Sequence, residues 1–240
     1  ADIRDYAVVK AILEKEKPEM VFHLAAQALV RGSYDDPLET HTTNIIGTAN
    51  VLHAAREVAG IKAAVIVTTD KVYQDKGERL PYKEEDPLGG YDPYGASKAA
   101  ADIVAHSYIR SFFHPEDFGK KHQTLFAIAR SGNVIGGGDW SKDRIMPDII
   151  RAVYEQDGVV RIRNPQAIRP WQHVFEALYG YLLLGKLLYE GQQKAVGAWN
   201  FGPEKQSFLS VEELTKRVLE RIGTGTYEIS EDKEKPESEI

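Results

Sequence analysis

Apolar residues in the first half of the chain occur in short continuous runs that alternate with stretches of helical spacing. The runs at 21–26, 63–68 and 125–130 are almost wholly apolar, as expected for strands that a parallel sheet buries on both faces. Between them, apolar positions recur at helical spacing over 37–58 and 94–113. This alternation predicts an α/β fold in which a doubly wound parallel sheet carries helices on both faces.

The pattern changes after about Gly136, where the segments become shorter and the loops longer. We expect helices at 143–154, 174–189 and 211–222 and strands at 159–163 and 198–201. Ser210 and Glu213 have the spacing of a capping box at the start of the last helix. We therefore expect one domain over 1–140 and, over 141–240, a smaller lobe with some segments that return to the sheet.

Two stretches lack periodicity. Residues 74–93 combine glycine, proline and charged residues, which indicates a long loop. Residues 231–239 are mostly charged, which is typical of a solvated tail or loop.

The composition narrows the chemistry that this fold can carry. The 240 residues include no cysteine, which excludes a disulfide framework, a thiolate zinc site and a cysteine nucleophile. None of the seven histidines has a partner at metal-ligand spacing, so we expect no metal site. A formal net charge of -6 argues against non-specific nucleic-acid binding, and no apolar run approaches the roughly 20 residues that span a bilayer.

The strongest chemical signal is the pair formed by Tyr94 and Lys98. Residues four apart at the start of a helix lie on one face. A tyrosine has an ordinary pKa of about 10, and a lysine ammonium one turn away lowers that pKa because it favours the phenolate. Such a pair can accept the proton of a hydroxyl that loses hydride. The alternative is an accidental pair on a surface helix.

Polar side chains also follow two of the predicted strands. Thr69, Asp70 and Lys71 end the strand at 63–68, and Asn133 follows the next strand. Because open parallel sheets bind ligands at the carboxyl ends of their strands, we expect these residues to line a site. The alternatives are a strand-end turn with an Asp cap for the triplet and an ordinary turn residue for Asn133.

Seven runs along the chain together resemble one enzyme family. They are HLAAQ at 23–27, TNIIGTANVL at 43–52, TTDKVY at 68–73, YDPYGASK at 91–98, ARSGNVIGGGDW at 129–140, DRIMPD at 143–148 and RPWQHV at 169–174. The runs are similar to those of extended short-chain dehydrogenase/reductases that act on nucleotide sugars. The Thr-Asp-x triplet resembles the dehydratase branch, and DKVY and RPWQHV resemble the members of that branch that act on CDP-glucose.

The resemblance implies a cytoplasmic enzyme with a Rossmann-like, NAD-binding domain that converts CDP-D-glucose to CDP-4-dehydro-6-deoxy-D-glucose and water. Tyr94 would take the C4 hydroxyl proton while hydride passes to NAD, Lys98 would lower the Tyr94 pKa and hold the nicotinamide ribose, and Thr69 would hydrogen-bond the C4 oxygen. Asp70 would protonate the water that leaves C6, and Lys71 would be the C5 base. Hydride would then return to C6.

The resemblance also implies binding residues and a partner. The NAD-binding positions are Asp2, Ile3, Ala25, Ala26, Tyr94 and Lys98, and the substrate-binding positions are Thr69, Asn133, Arg144 and Arg169. Arginine suits a diphosphate because its planar fork grips phosphate oxygens in pairs, although surface salt bridges are the alternative for both arginines. The helices near 37–58 and 94–113 match the pair that forms a dimer interface in the family, so we expect a homodimer unless they only cover the sheet.

Two departures from the family pattern matter. The family places Gly-x-x-Gly-x-x-Gly after its first strand, and the chain has no such run. Asp2 and Ile3 match positions after the family's third strand, so we expect the phosphate-binding turn and the first strands of the sheet to precede Ala1. The triplet often ends in Glu where this chain has Lys71, which leaves the identity of the C5 base open. A solvent-facing Lys71 that balances Asp70 is the alternative.

Two other functions remain open at this point. A nucleotide-sugar 4-epimerase would keep Thr69, Tyr94 and Lys98 but would need no acid at Asp70. A non-catalytic nucleotide-binding module is the second alternative, because a fold by itself does not fix a function.

Overall fold

The computed structural model describes residues 1–77 and 81–230, which divide into two compact units. The first unit comprises Ala1–Gly132 and Leu178–Phe201. The second comprises Asn133–Ala177 and the chain from Gly202 onward. The predicted tail at 231–239 and part of the predicted loop at 74–93 lie outside the described residues.

The helices and strands follow one another in mixed order along the chain. The helices are α1 Tyr6–Glu16, α2 Val30–Asp35, α3 Pro37–His41, α4 Gly47–Glu57, α5 Pro93–Phe112, α6 Ile145–Glu155, α7 Val174–Tyr189 and α8 Val211–Ile222. The strands are β1 Met20–His23, β2 Ala63–Val67, β3 Leu125–Ser131, β4 Val134–Ile135, β5 Val159–Ile162, β6 Ile168–Pro170, β7 Gln172–His173, β8 Gly197–Phe201, β9 Phe208–Ser210 and β10 Thr226–Ile229. A π-helical turn occupies Thr42–Ile46, and 3₁₀ turns occupy Asp70–Val72, Pro115–Asp117, Gln193–Ala195 and Lys205–Ser207.

The first unit is built on a parallel four-stranded sheet in the order β1-β2-β3-β8. The register pairs Val65 of β2 with Phe22 of β1 and with Ala127 of β3, and it pairs Trp199 of β8 with Ala129. Since all four strands run in one direction, their carboxyl ends meet at one edge of the sheet. This confirms the predicted α/β architecture.

Helices cover both faces of the sheet. On one face, Leu52 of α4 and Ala105 of α5 pack in a buried cluster with Ile66, Phe126 and Ile128. On the other face, the part of α7 that belongs to the first unit lies so close that a methyl group at Gly185 would come within 2.6 Å of the Phe22 ring. Glycine thus permits the close approach of this helix, and the sheet is doubly wound as predicted.

Two features of the first unit differ from the sequence-based expectation. The predicted helix at 37–58 consists of α3, the π-helical turn and α4. The break centres on Asn44, whose side chain accepts from the Gln27 N–H at 2.8 Å and donates to the Gln27 carbonyl at 3.0 Å. The apolar periodicity continues through the break, so the pattern could not show it. The strand predicted at 21–26 ends at His23, and the following residues leave the sheet.

The second unit contains a smaller core. Strands β5 and β10 pair in parallel, and β6 and β9 pair antiparallel. Ile149 of α6 and Leu219 of α8 are buried with Val160 and Ile162 of β5. The capping box predicted for α8 is present, with the Ser210 oxygen accepting from the Glu213 N–H at 3.1 Å.

None of the helices within residues 1–77 and 81–230 has both the length and the apolar character that a membrane-crossing segment needs.

Candidate active site

The end of β2 carries three of the predicted catalytic side chains on a tight turn. Thr69 precedes a 3₁₀ turn that begins with Asp70 and Lys71, and its side-chain oxygen accepts from the Lys71 N–H at 3.4 Å. The Thr69 hydroxyl donates to Asp70 Oδ1 at 3.1 Å. Thr69 is buried, whereas Asp70 and Lys71 are partly exposed. The turn therefore presents a carboxyl group and an amino group from adjacent positions.

The start of α5 carries the other two. Asp92 caps this helix by accepting from the Gly95 N–H at 2.8 Å, and a proline occupies the first helical position. Tyr94 and Lys98 follow at one-turn spacing, and the Tyr94 N–H donates to Ser33 Oγ at 3.1 Å. A methyl group at Gly95 would come within 2.9 Å of the Lys71 carbonyl oxygen, so the start of the helix lies directly against the 3₁₀ turn.

Lys98 is a buried cation at the end of β2. Its Nζ donates to the Val67 carbonyl at 2.7 Å, and its side chain is buried. Burial lowers the pKa of Lys98 to about 8, and the nearby Asp102 carboxylate opposes that shift. At neutral pH the group is therefore still mainly an ammonium. It supplies a positive charge one helical turn from Tyr94.

Lys71 is a second lysine at the site and is more accessible than Lys98. Its Nζ lies 3.9 Å from Asp92 Oδ2, and 34% of its side chain is exposed compared with 3% for Asp92. The helix cap and the 3₁₀ turn are thus linked through side chains as well as through the Gly95 contact. The structure brings all five predicted catalytic residues together around the end of β2, while the role of each remains a prediction.

The predicted NAD-binding positions also lie in the first unit. Asp2 is exposed and forms an ion pair of 2.6 Å with Arg4, which lowers the pKa of Asp2 to about 2. The Ile3 side chain packs on Gly47. Ala25 and Ala26 follow the carboxyl end of β1 and are exposed and half-buried, respectively.

The three remaining predicted substrate residues belong to the second unit. The Asn133 carbonyl accepts from the Gln172 N–H at 3.3 Å. Arg144 precedes α6, and its Nε lies 3.7 Å from Asp139 Oδ2. Arg169 lies on β6 and donates to the Ile168 carbonyl at 3.0 Å. Their assignment to a nucleotide remains a prediction.

Comparison with known proteins decides the family. A family model described as the NAD dependent epimerase/dehydratase family matches residues 1–202. The chain belongs to this family. The match includes every predicted catalytic, cofactor-binding and substrate-binding position.

Individual relatives include dehydratases and epimerases. The chain is 45% identical over 218 residues to CDP-glucose 4,6-dehydratase of Salmonella typhimurium, a match that covers 91% of this chain and 60% of the relative. It is 36% identical over 108 residues to UDP-glucose 4-epimerase of Mycolicibacterium smegmatis, covering 45% of this chain and 34% of the relative. Among solved structures, dTDP-glucose 4,6-dehydratase of Streptomyces venezuelae with NAD bound superposes with a TM-score of 0.79 at 25% identity and covers 97% of this chain and 66% of that one.

The chain thus spans less than two thirds of the length of the Salmonella and Streptomyces proteins. No group of three or more acidic or histidine side chains suited to a metal ion occurs among residues 1–77 and 81–230.

Sequence reasoning missed a buried amide beside the Tyr94–Lys98 helix. Asn44, in the π-helical turn, donates from Nδ2 to Ser97 Oγ at 2.8 Å, and both residues are buried. Ser97 in turn donates to the Tyr94 carbonyl at 2.7 Å. An asparagine at an otherwise apolar helical position in TNIIGTANVL is the signal that could have identified it.

A buried ion pair behind the site was also missed. Arg130 of β3 donates from Nε and Nη2 to the two carboxylate oxygens of Asp102 on α5, each at 2.8 Å. Both side chains are buried. Burial by itself lowers the pKa of Arg130, but the hydrogen bonds and charge of Asp102 more than offset this, so the pKa lies above its ordinary value. Asp102 stands one turn beyond Lys98, a spacing that could have indicated a charge interaction with Lys98 but not the bond to Arg130.

His23, at the end of β1, is a buried neutral group. Its Nε2 lies 2.9 Å from Thr48 Oγ1. Burial, and secondarily the charge of Lys98, lower the pKa of His23 to about 4. The imidazole therefore remains uncharged at physiological pH, which avoids a second positive charge beside Lys98.

This burial predicts a pH-dependent stability. Between the unfolded-state pKa of about 6.5 and the folded-state pKa of about 4 the unfolded chain binds more protons, so stability falls as the pH falls through that window. We expect the wild type to lose about 3 kcal/mol more than His23→Gln over this window, measured by urea unfolding. His114→Gln, at an exposed position, is the matched control. Parallel pH curves for wild type and His23→Gln would contradict the expectation.

Proposed function

We propose that this family member is a nucleotide-sugar 4,6-dehydratase that uses NAD and acts on CDP-glucose. The observation that carries the proposal is the second titratable pair, Asp70 and Lys71, on a turn against the start of the Tyr94 helix. A 4-epimerase needs one proton acceptor at C4. A dehydratase also needs an acid for the leaving hydroxyl and a base for the C5 proton, and the turn offers both. The similarity to the Salmonella dehydratase supports the same assignment.

Oxidation at C4 requires a proton acceptor of fixed position. We assign this role to Tyr94, which the cap at Asp92 and the hydrogen bond from its N–H to Ser33 hold at the helix start. The ammonium of Lys98 favours the phenolate electrostatically. Thr69, buried at the end of β2, orients the C4 oxygen by a hydrogen bond.

Once C4 carries a ketone, the C5 proton is acidic enough for a base to remove it. Loss of water from C6 also requires an acid that protonates the leaving hydroxyl. We assign the acid to Asp70 and the base to Lys71. Adjacent residues on a 3₁₀ turn are held close together, and both are partly exposed toward solvent, from which a substrate can enter. In its neutral form Lys71 would accept the C5 proton while Asp70 gives its proton to the departing hydroxyl.

The site has features that fit NAD. The Lys98 ammonium carries three protons. Within the described part of the chain it donates one of them to the Val67 carbonyl, so protons remain for the ribose hydroxyls of NAD. The small side chains of Ala25 and Ala26 leave space at the carboxyl end of β1, and Asp2 and Ile3 would contact the adenosine half. Bound NAD would supply the hydride acceptor for oxidation at C4 and, once reduced, the hydride donor for C6. The family is described as NAD dependent.

For the substrate, we assign Asn133, Arg144 and Arg169 to the CDP group. Arg144 is near one acidic residue, Asp139, at 3.7 Å, a distance that leaves its guanidinium able to turn toward a phosphate. Paired hydrogen bonds from a guanidinium suit the diphosphate.

The complete gene product should convert CDP-glucose to a 6-deoxy-4-dehydro sugar nucleotide, detected by mass spectrometry as the loss of one water. Conversion to CDP-galactose without water loss would favour the epimerase that the Mycolicibacterium relative suggests. Binding of NAD and CDP-glucose in equilibrium dialysis with no turnover of either kind would favour a non-catalytic module.

Replacing Lys71 separates the two stages of the reaction. We expect Lys71→Ala to retain C4 oxidation, seen as reduced nicotinamide in a single turnover, and to lose C5 exchange with deuterated water by about 10²- to 10⁴-fold. The matched control is Lys76→Ala, which removes a lysine five positions along that is paired with Asp86 at 2.6 Å. Unchanged C5 exchange in Lys71→Ala would show that another group is the base.

We also propose that the protein forms a homodimer through the helices near 37–58 and 94–113. Leu38 and Ile46 on the first stretch and Ile103 and Phe112 on α5 are large apolar side chains that are between 42% and 72% exposed. Exposed apolar side chains on adjacent helices are typical of an interface.

A charged residue at this surface should prevent association. We expect Ile103→Glu to sediment as a monomer under conditions in which the wild type sediments as a dimer, because burial of a carboxylate in an apolar interface is costly. Ile229→Glu, at a similarly exposed isoleucine in the second unit, is the matched control and should leave the dimer intact. A dimeric Ile103→Glu would place the interface elsewhere.

A further inference from the structure

Two side chains that flank the turn with Asp70 and Lys71 are hydrogen-bonded to the buried ion pair between Asp102 and Arg130. Before the turn, Thr68 Oγ1 donates to Asp102 Oδ2 at 3.2 Å. After the turn, the Tyr73 hydroxyl accepts from Arg130 Nη1 at 2.9 Å. Thr68 and Tyr73 are both buried, as is the ion pair itself. The segment with the proposed acid and base is therefore tied down at both ends to the same two charged groups.

The Tyr73 hydroxyl is the junction of this network. It donates to Asn200 Oδ1 on β8 at 2.6 Å while it accepts from Arg130 on β3. Its ring stacks on Tyr82 with centroids 4.7 Å apart and planes 5° from parallel. Arg130 Nη1 also donates to the Glu84 carbonyl at 2.9 Å. One hydroxyl thus links the turn to two neighbouring strands of the sheet.

The proton acceptor and the cation proposed for C4 oxidation, Tyr94 and Lys98, have supports outside the segment that Tyr73 holds. Tyr94 is held by its hydrogen bond to Ser33, and Lys98 by its hydrogen bond to Val67. Neither support involves Tyr73. Loss of the Tyr73 hydroxyl should therefore act on the turn and leave the two groups on α5 in place.

We propose that Tyr73, through its hydroxyl contacts with Arg130 and Asn200, is a positioning residue that holds Asp70 and Lys71 in register with C5 and C6 of the sugar. The proposal rests on the dehydratase function proposed above. Acid–base steps depend steeply on position, and a displacement of about 1 Å can cost about 10²-fold in rate. Tyr73 does not itself act on the substrate.

Tyr73→Phe tests this role in the complete gene product, because it deletes the hydroxyl and keeps the ring stacked on Tyr82. We expect kcat for water loss to fall about ten- to a hundred-fold while KM for CDP-glucose stays within about two-fold. The amplitude and rate of C4 oxidation in a single turnover should stay within about two-fold of the wild type. We expect product to lag behind reduced nicotinamide in Tyr73→Phe and to keep pace with it in the wild type.

Tyr82→Phe is the matched control, because it removes a hydroxyl from the stacked partner ring and keeps the bonds of the Tyr73 hydroxyl to Arg130 and Asn200. It should behave as the wild type. If Tyr73→Phe does not fold, Asn200→Ala removes the other hydroxyl partner and should reduce water loss in the same selective way.

Equal losses of C4 oxidation and water loss in Tyr73→Phe would overturn the proposal, because they would indicate a general structural role. Wild-type kcat in Tyr73→Phe would overturn it as well. A wild-type protein that never removes water from CDP-glucose would instead overturn the dehydratase function, and the proposal with it.

Discussion

Replacing Lys98 with methionine should lower turnover by about 10²- to 10⁴-fold and should not destabilise the protein at neutral pH. The loss of activity follows from removal of the cation that favours the Tyr94 phenolate. Stability at neutral pH is retained for two reasons. Methionine fills a similar volume without a charge, and Asp102 keeps Arg130 as its bidentate partner at 2.8 Å.

The stability effect follows from the direction in which burial shifts the pKa of Lys98. Burial lowers the pKa from 10.5 to about 8, so the unfolded chain binds more protons between these values and wild-type stability rises with pH across that window. Below pH 8 the full penalty of about 3 kcal/mol is present in the wild type. Loss of the hydrogen bond to Val67 O costs about 1 kcal/mol and offsets part of the gain.

Urea unfolding at several pH values measures this effect. We expect Lys98→Met to be more stable than the wild type by about 1–2 kcal/mol at pH 7, and the difference to shrink as the pH rises from 8 toward 10.5. Lys121→Met, at a lysine whose side chain is 74% exposed, is the control and should show neither effect. A Lys98→Met protein that unfolds more easily than the wild type at pH 7 would contradict the account of Lys98 as a functional cation whose burial reduces stability.

Replacing Arg130 with methionine should strongly destabilise the first unit. It leaves the Asp102 carboxylate buried without its bidentate partner, and removal of one member of a buried ion pair costs about 3–5 kcal/mol. The same change leaves the Tyr73 hydroxyl and the Glu84 carbonyl without the hydrogen bonds that Arg130 donates.

A double-mutant cycle isolates the charge effect. Arg130→Met combined with Asp102→Leu removes both charges, so we expect the double variant to be more stable than Arg130→Met alone. Arg161→Met is the control, because it removes an arginine from exposed ion pairs with Asp157 and Glu228. The midpoint of urea unfolding measures each variant. Additive losses in the cycle would contradict a buried pair whose members depend on one another.

The parallel sheet could be predicted because its two central strands, β2 and β3, are runs of apolar residues that both faces of the sheet bury. The runs at 63–68 and 125–130 became β2 and β3 within one residue at each end. The π-helical turn could not be predicted, because its cause is the bond of Asn44 to Gln27, 17 positions away. The pairs β4–β7 and β6–β9 consist of strands too short to carry a periodic signal.

The chemical groups of the site could be predicted, but the buried hydrogen bonds that hold them in place could not. Tyr94 and Lys98 have a local spacing that can be read along one helix. The bonds of Asp102 and Tyr73 to Arg130 span 28 and 57 positions, and no local pattern reveals them. The burial of Lys98 and His23, which sets their pKa values, likewise depends on strands and helices that are distant in sequence.

The most direct test of the central claim follows one hydrogen atom. The complete gene product is incubated with NAD and CDP-glucose that carries deuterium at C4, and the product is examined by NMR. A dehydratase built on Tyr94, Lys98, Asp70 and Lys71 places that deuterium at C6 of a 6-deoxy-4-dehydro sugar. Deuterium that remains at C4 of a sugar with its C6 hydroxyl intact would contradict the account.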